Sequence, residues 1–92
     1  MAAADTPELR SMLLAIRAVS GSADPLSDLR QALLDNPENV LALTAMADLL
    51  AAQGDMRKAA EYAHEASVLD PQNTVLGRKA ADFEARASAA NP

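Results

Sequence analysis

The segment from Val40 to Asn73 constrains the fold most, because it carries the signals of a complete helical hairpin. In its first half, apolar residues recur at the three- and four-residue spacings that place side chains on one helical face. Gly54 follows where a helix end favours a residue that tolerates positive φ, and Asp55 can cap a second helix. That helix ends at Asp70, because Pro71 disfavours the α conformation in the residue before it. The segment predicts two antiparallel helices joined by a tight turn.

The predicted core of this hairpin is rich in alanine. Its inward residues are Leu43, Met46, Ala47, Leu50 and Ala51 on the first helix and Ala59, Ala60, Ala63, Ala66 and Leu69 on the second. Aromatic residues make up only 2% of the chain, so the core must be thin and the helix backbones must lie close together.

Further cap and stop signals predict three more helices, and therefore an all-α fold of about five. One helix begins at Thr6-Pro7, a second at Asp24-Pro25, and a fifth near Asn73. Their apolar faces are Leu9, Met12, Leu13, Ile16 and Val19, then Leu26, Leu29, Ala32 and Leu33, then Leu76, Ala80, Phe83 and Ala87. Residues 1–5 are expected to form a flexible leader, and residues 89–92 a flexible tail.

The chain repeats itself at an interval of 34 residues, the separation of Pro37 and Pro71. The same shift pairs Asn39 with Asn73, Ala32 with Ala66, Met12 with Met46 and Ile16 with Leu50. Met12 is therefore expected in the core. This shift equals the period of the tetratricopeptide repeat, a helix-turn-helix unit. Residues 40–73 resemble that family, because they carry the small residues and the terminal proline that the family prefers. These residues are Gly54, Ala59, Ala66 and Pro71.

The resemblance implies an α-solenoid-like array of two repeats and a cap. Residues 6–39 would form a degenerate first repeat, residues 40–73 the second, and residues 74–88 a capping helix. The first repeat departs from the family at Pro25, where an alanine inside the second helix is usual. Because proline costs roughly 3 kcal/mol in a helix interior but is accepted in a first turn, that helix should begin at about Pro25, after a longer turn.

Composition and charge exclude several classes of function. The net charge of −5 argues against nucleic-acid binding, which needs a basic face to neutralise phosphates. The absence of cysteine excludes disulfides and thiolate metal sites. The sequence contains neither a secretory signal nor a stretch approaching a transmembrane span, so we expect no membrane partner and, by default, a cytoplasmic location.

No residue pattern indicates catalysis. His64 is the only histidine, with Glu61 and Glu65 beside it on a predicted helix, and a metal site would need more ligands than this cluster offers. Ser67 lies one turn from His64 but lacks an oxyanion site and a third orienting group. The three glycines are isolated, so no phosphate-binding loop is present. We expect no enzyme, catalytic residue, cofactor or metal.

The resemblance implies a protein or peptide partner. Stacked hairpins form a concave groove lined by their first helices. The residues expected to face it are Arg10, Leu14, Arg17 and Ala18, then Leu41, Thr44, Asp48 and Ala52, then Val75, Arg78, Asp82 and Arg86. Arginine suits carboxylates, so the expected partner is a segment with acidic and apolar residues or a free C-terminus. The competing interpretation is that these arginines only form surface pairs with nearby acids.

Self-association is the alternative function. A chain of 92 residues builds a small core, and an uncovered repeat face is a template for another unit. Leu13, Leu14 and Ile16 widen the apolar arc of the first helix, which favours assembly into a homo-oligomer or scaffold. A small chaperone for an assembling or secreted subunit also fits the acidity and size.

Overall fold

A computed structural model describes residues 6–90, which form five α-helices and no strand: α1 (Pro7–Val19), α2 (Pro25–Asp35), α3 (Val40–Ala52), α4 (Met56–Leu69) and α5 (Thr74–Ala90). The predicted all-α class is confirmed. Helix α5 runs two residues past the predicted end at residue 88. The predicted leader, residues 1–5, and residues 91–92 of the predicted tail lie outside the described residues.

Four helices begin at a capping side chain: Thr6, Asp24 and Asp55 as predicted, and Asn39, which was not predicted as a cap. The cap side chain in each case accepts a hydrogen bond from the backbone N–H three residues later, which satisfies one of the free donors of the first turn. The pairs are Thr6 with Leu9 at 3.1 Å, Asp24 with Ser27 at 3.2 Å, Asn39 with Ala42 at 3.0 Å and Asp55 with Lys58 at 3.2 Å. These caps set where each of the four helices begins.

The two hairpin turns differ in length, as Pro25 predicts. Five residues separate α1 from α2, whereas three separate α3 from α4. Gly21 and Gly54 both adopt positive φ, at 111° and 88°, which a side-chain-bearing residue adopts only with strain. The longer first turn is therefore confirmed, together with the glycine in each turn.

The helices pack as two units that share α3. The most extensive contacts join α1 to α2, α3 to α4 and α4 to α5, and smaller contacts join α3 to α1 and α2. Helices α2 and α4 are not among the closely packed pairs. Most buried residues are alanines, as predicted; the larger buried side chains are Leu29, Leu43, Met46, Leu76 and Phe83.

The predicted core face of α1 is wrong. Ser11, Ala15 and Ala18 are the buried residues of this helix. Four of the residues predicted to be buried are instead 44 to 55% exposed, namely Met12, Leu13, Ile16 and Val19. The small side chains of α1 therefore face the other helices, and these four large apolar side chains are exposed.

The physical reason for this error is that α1 packs through its small side chains, whereas a hydrophobic pattern selects the large ones. Helix α1 contacts α2 and α3 through Ser11, Ala15 and Ala18, whose small size allows a close approach. The repeat shift used for the prediction places exposed Met12 on buried Met46. The register of the second hairpin thus does not carry over to α1.

One further residue of the predicted core is exposed. Leu69, expected on the inner face of α4, is 39% exposed at the end of that helix. The other predicted inward residues of α3, α4 and α5 are buried or half-buried. The correction at α1 is therefore the one that changes the surface of the protein.

A buried polar contact holds α1 in this orientation. The Ser11 hydroxyl donates to the Ala32 carbonyl at 2.5 Å, and the Asn39 side-chain amide donates to the same hydroxyl at 2.8 Å. Ser11 thereby ties α1 to α2 and to the cap of α3. Its small size, with that of Ala15 and Ala18, lets α1 approach both helices closely.

We predict that Ser11→Ala lowers the free energy of unfolding by about 1 to 2 kcal/mol, because a buried hydrogen bond is lost and the Asn39 amide loses its acceptor. Urea unfolding followed by circular dichroism measures the loss. The matched control is Ser67→Ala, which removes a hydroxyl bonded to the His64 carbonyl at the surface and should change stability by less than about 0.5 kcal/mol. Equal losses in the two variants would contradict the contact at Ser11.

Candidate functional site

The predicted groove residues of α1 contact α2. Arg10 Nε lies 3.3 Å from Asp35 Oδ2, and Arg17 Nε lies 3.6 Å from Asp28 Oδ2. The arginine side chains are 52% and 71% exposed, whereas those of Asp35 and Asp28 are 8% and 16% exposed. Leu14 is half-buried against the core shared by α1, α2 and α3. The two arginines therefore cover acids at the α1–α2 interface, as the interpretation of surface pairing expects.

Three charged groove residues predicted on α3 and α5 have ion-pair partners, and the partner of Asp48 is Lys79, which was not predicted to face the groove. Lys79 Nζ donates to both carboxylate oxygens of Asp48, at 2.9 and 3.0 Å, which links α5 to α3. Arg86 pairs with Asp82 one turn away on α5, at 3.1 Å. Arg78 is exposed and makes no ion pair within residues 6–90. Of the predicted groove arginines, Arg78 is thus the one whose guanidinium is available for a partner's carboxylate.

Of the predicted groove residues that remain on α3 and α5, three lie near the starts of these helices, and the fourth, Ala52, lies at the end of α3. Leu41 is 43% exposed and Val75 is 60% exposed. The Thr44 hydroxyl donates to the Val40 carbonyl of its own helix at 2.8 Å, so that hydroxyl is already occupied. Ala52 is exposed at the end of α3. These four residues are uncharged, so they offer a partner mainly apolar contacts.

An open depression of about 320 Å³ lies between α1, the start of α2 and α3. We call it the α1–α3 depression; it is lined by Ala18, Val19, Pro25, Leu29, Ala45, Asp48 and Leu49. Asp48 is its one charged residue, and Ala18 and Asp48 both belong to the predicted groove. The depression can hold an aliphatic side chain.

The sequence contains a signal for this depression that the groove prediction did not use. Pro25 forces α2 to begin late, and the five-residue turn before it leaves space at the start of α2. Ala45 and Leu49, which form the α3 side, were not predicted as site residues. They lie one turn apart on α3, on the side that packs toward α1 and α2.

A second depression, of about 380 Å³, lies between α4 and α5 and contains the single histidine. Its charged residues are of mixed sign: Arg57, Glu61 and Glu84, with His64 exposed beside them. No group of three or more His, Cys, Asp or Glu side chains in residues 6–90 is arranged to hold a metal ion. The described residues therefore give this depression no chemistry that distinguishes it from an ordinary charged surface.

The exposed residues of α1 form a third surface. We call Met12, Leu13, Ile16 and Val19 the α1 stripe; they are 47, 55, 44 and 55% exposed. The opposite side of α1 contacts α2 and α3 through Ser11, Ala15 and Ala18. The stripe is thus an apolar face that no described residue covers.

No protein-family model, curated protein or solved structure matches this chain. The function is therefore inferred from the surfaces described above. Over residues 6–90, none of the five helices is both long enough and apolar enough to cross a membrane.

Proposed function

We propose that this protein is a non-catalytic interaction module, similar to a tetratricopeptide array, that binds a peptide segment of a partner across the faces of α1, α3 and α5. The observation that supports this proposal is the α1–α3 depression, which is apolar and opens beside predicted groove residue Asp48. Such a module serves as an adaptor or scaffold. A chaperone for an assembling subunit would use the same surface.

The proposed binding mode has one apolar anchor and one charge contact. An aliphatic side chain of the peptide enters the α1–α3 depression, where Leu29 and Ala45 provide apolar contacts. Burying one such side chain contributes about 1.5 to 3 kcal/mol, which alone falls short of even the ~4 kcal/mol of millimolar binding. A carboxylate on Arg78 would add a charge-assisted hydrogen bond. The expected ligand is a peptide that carries both an aliphatic and an acidic residue, as the groove arginines predict.

We predict that Ala45→Leu weakens peptide binding at least tenfold, because the added atoms occupy the α1–α3 depression. The probe is a displayed library of short random peptides, from which binders to the wild-type protein are selected and then measured by calorimetry. Ala85→Leu is the matched control, since Ala85 is an exposed helical alanine on α5 that lies outside the depression. Binding by this variant should equal that of the wild type.

Two outcomes would contradict the proposed function. One is a library selection that enriches no peptide family. The other is a set of peptides whose affinity is the same for the wild type and for folded Ala45→Leu, because the depression would then make no contribution.

A further inference from the structure

The α1 stripe differs from the other exposed apolar residues of residues 6–90 in its continuity. Elsewhere the exposed large apolar residues are single or adjacent in sequence: Leu34, Leu41, Val68, Leu69 and Val75. On α1, Met12, Leu13, Ile16 and Val19 follow helical spacing along most of the helix. The stripe exposes on the order of 300 Å² of apolar surface, comparable to the largest patch on a typical monomer, and such patches are often functional.

The exposed face of α5, the last described helix, is polar. Its exposed residues include Arg78, Asp82, Glu84 and Arg86. The exposed face of α5 thus differs from that of α1, which carries the apolar stripe.

We propose that a second copy of this chain covers the α1 stripe, with the two α1 helices packed antiparallel about a two-fold axis. Among residues 6–90, the α1 stripe is the one surface with enough exposed apolar residues to match it. Because α5 is polar outside, head-to-tail stacking offers no counterpart. A two-fold interface uses the same patch on both copies, so it closes as a dimer and does not continue into a fibre.

The charges beside the stripe permit this pairing. Arg10 and Arg17 lie next to the stripe. In an antiparallel pair, Arg10 of one copy would approach Arg17 of the other. They are held by Asp35 and Asp28, which makes that flank locally neutral. The net charge of −5 on each chain opposes association at long range, and salt screens that repulsion.

The size of the stripe sets the strength of the dimer. Helix α1 has 13 residues and is roughly 20 Å long. The two stripes, together with the polar residues along their edges, would bury on the order of 1,000 Å² in total. This is below the ~1,600 Å² of a standard specific interface. We therefore expect a reversible dimer with a dissociation constant in the micromolar range, strengthened by moderate salt.

Sedimentation equilibrium of the full chain, over a concentration range from low micromolar to millimolar, tests this proposal. The wild type should fit a monomer–dimer equilibrium, and Ile16→Glu and Leu13→Glu should each raise the dissociation constant at least tenfold. Leu34→Glu is the matched control, because Leu34 is 76% exposed on α2 and outside the stripe; its dissociation constant should be unchanged. Circular dichroism of each variant verifies that the helices remain folded.

The proposal is overturned if the wild type stays monomeric throughout the range, if it forms trimers or larger species, or if neither folded stripe variant weakens the dimer. The α1 stripe shares only Val19 with the α1–α3 depression, on which peptide binding depends. Ile16→Glu, whose side chain does not line that depression, should leave the affinity for selected peptides unchanged. Loss of one activity without the other identifies which of the two proposals has failed.

Discussion

Replacing Phe83 by alanine should lower the free energy of unfolding by about 3 to 5 kcal/mol, the largest effect of any single truncation we predict. Phe83 is 7% exposed in a cluster whose other buried members are all alanines, namely Ala47, Ala59, Ala60, Ala63 and Ala80. These alanines are too small to fill the cavity, and the larger neighbours Leu50, Met56 and Tyr62 are only partly buried at the edge of the cluster. For a small domain with a total stability of about 5 to 14 kcal/mol, the loss is a large share of the whole.

Urea unfolding followed by circular dichroism measures this effect, and two variants control for it. Phe83→Leu keeps most of the buried volume and should cost less than half as much. Val75→Ala truncates a 60% exposed side chain on the same helix and should cost less than about 1 kcal/mol. If Phe83→Ala proves as mild as Val75→Ala, then α5 does not pack on α3 and α4 through this residue.

The helix boundaries could be predicted from the sequence because each depends on local chemistry. Asp24 and Asp55 cap their helices with their own side chains, and Gly21 and Gly54 occupy the positive-φ positions of the turns. Pro25 can stand only in a first turn, which determines where α2 begins. None of these signals needs knowledge of which helices meet.

The orientation of α1 could not be predicted in the same way, because two faces of this helix can be buried. One carries the large residues that a hydrophobic pattern selects. The other carries Ser11, Ala15 and Ala18, which allow close approach and the buried contact with Ala32 and Asn39. Choosing between them requires the position of α2 and α3, which the pattern of α1 alone does not contain.

Only part of the candidate site on α3 and α5 was predictable, because Ala45 and Leu49, which line the α1–α3 depression, were not among the predicted groove residues. Asp48 and Arg78 lie at the exposed positions that the repeat register predicts. The roles of Arg10 and Arg17 depend on the orientation of α1, which brings them to Asp35 and Asp28 across the hairpin. The spacing of residues along α1 alone could not identify ion-pair partners that lie on α2, beyond the turn.

The two methionines that the repeat shift pairs, Met12 and Met46, test the orientation of α1 directly. We predict that Met46→Ala lowers the free energy of unfolding by about 2 to 5 kcal/mol, because Met46 is 2% exposed in the core of α1, α2 and α3. Met12 is 47% exposed, and Met12→Ala should cost less than about 1 kcal/mol, since alanine is also the better helix former. Urea unfolding of the two variants supplies the comparison.

This comparison is informative only at low protein concentration, because Met12 belongs to the α1 stripe and a dimer would add its own contribution to stability. Under monomeric conditions the chemistry of the two substitutions is identical, so any difference reports burial alone. Similar losses in both variants would mean that α1 buries the Met12 face, as the repeat register predicts. The stripe would then be core, and the dimer proposed above would lose its surface. A large loss for Met46 alone would place Met12 outside the core and leave the stripe open to a second copy.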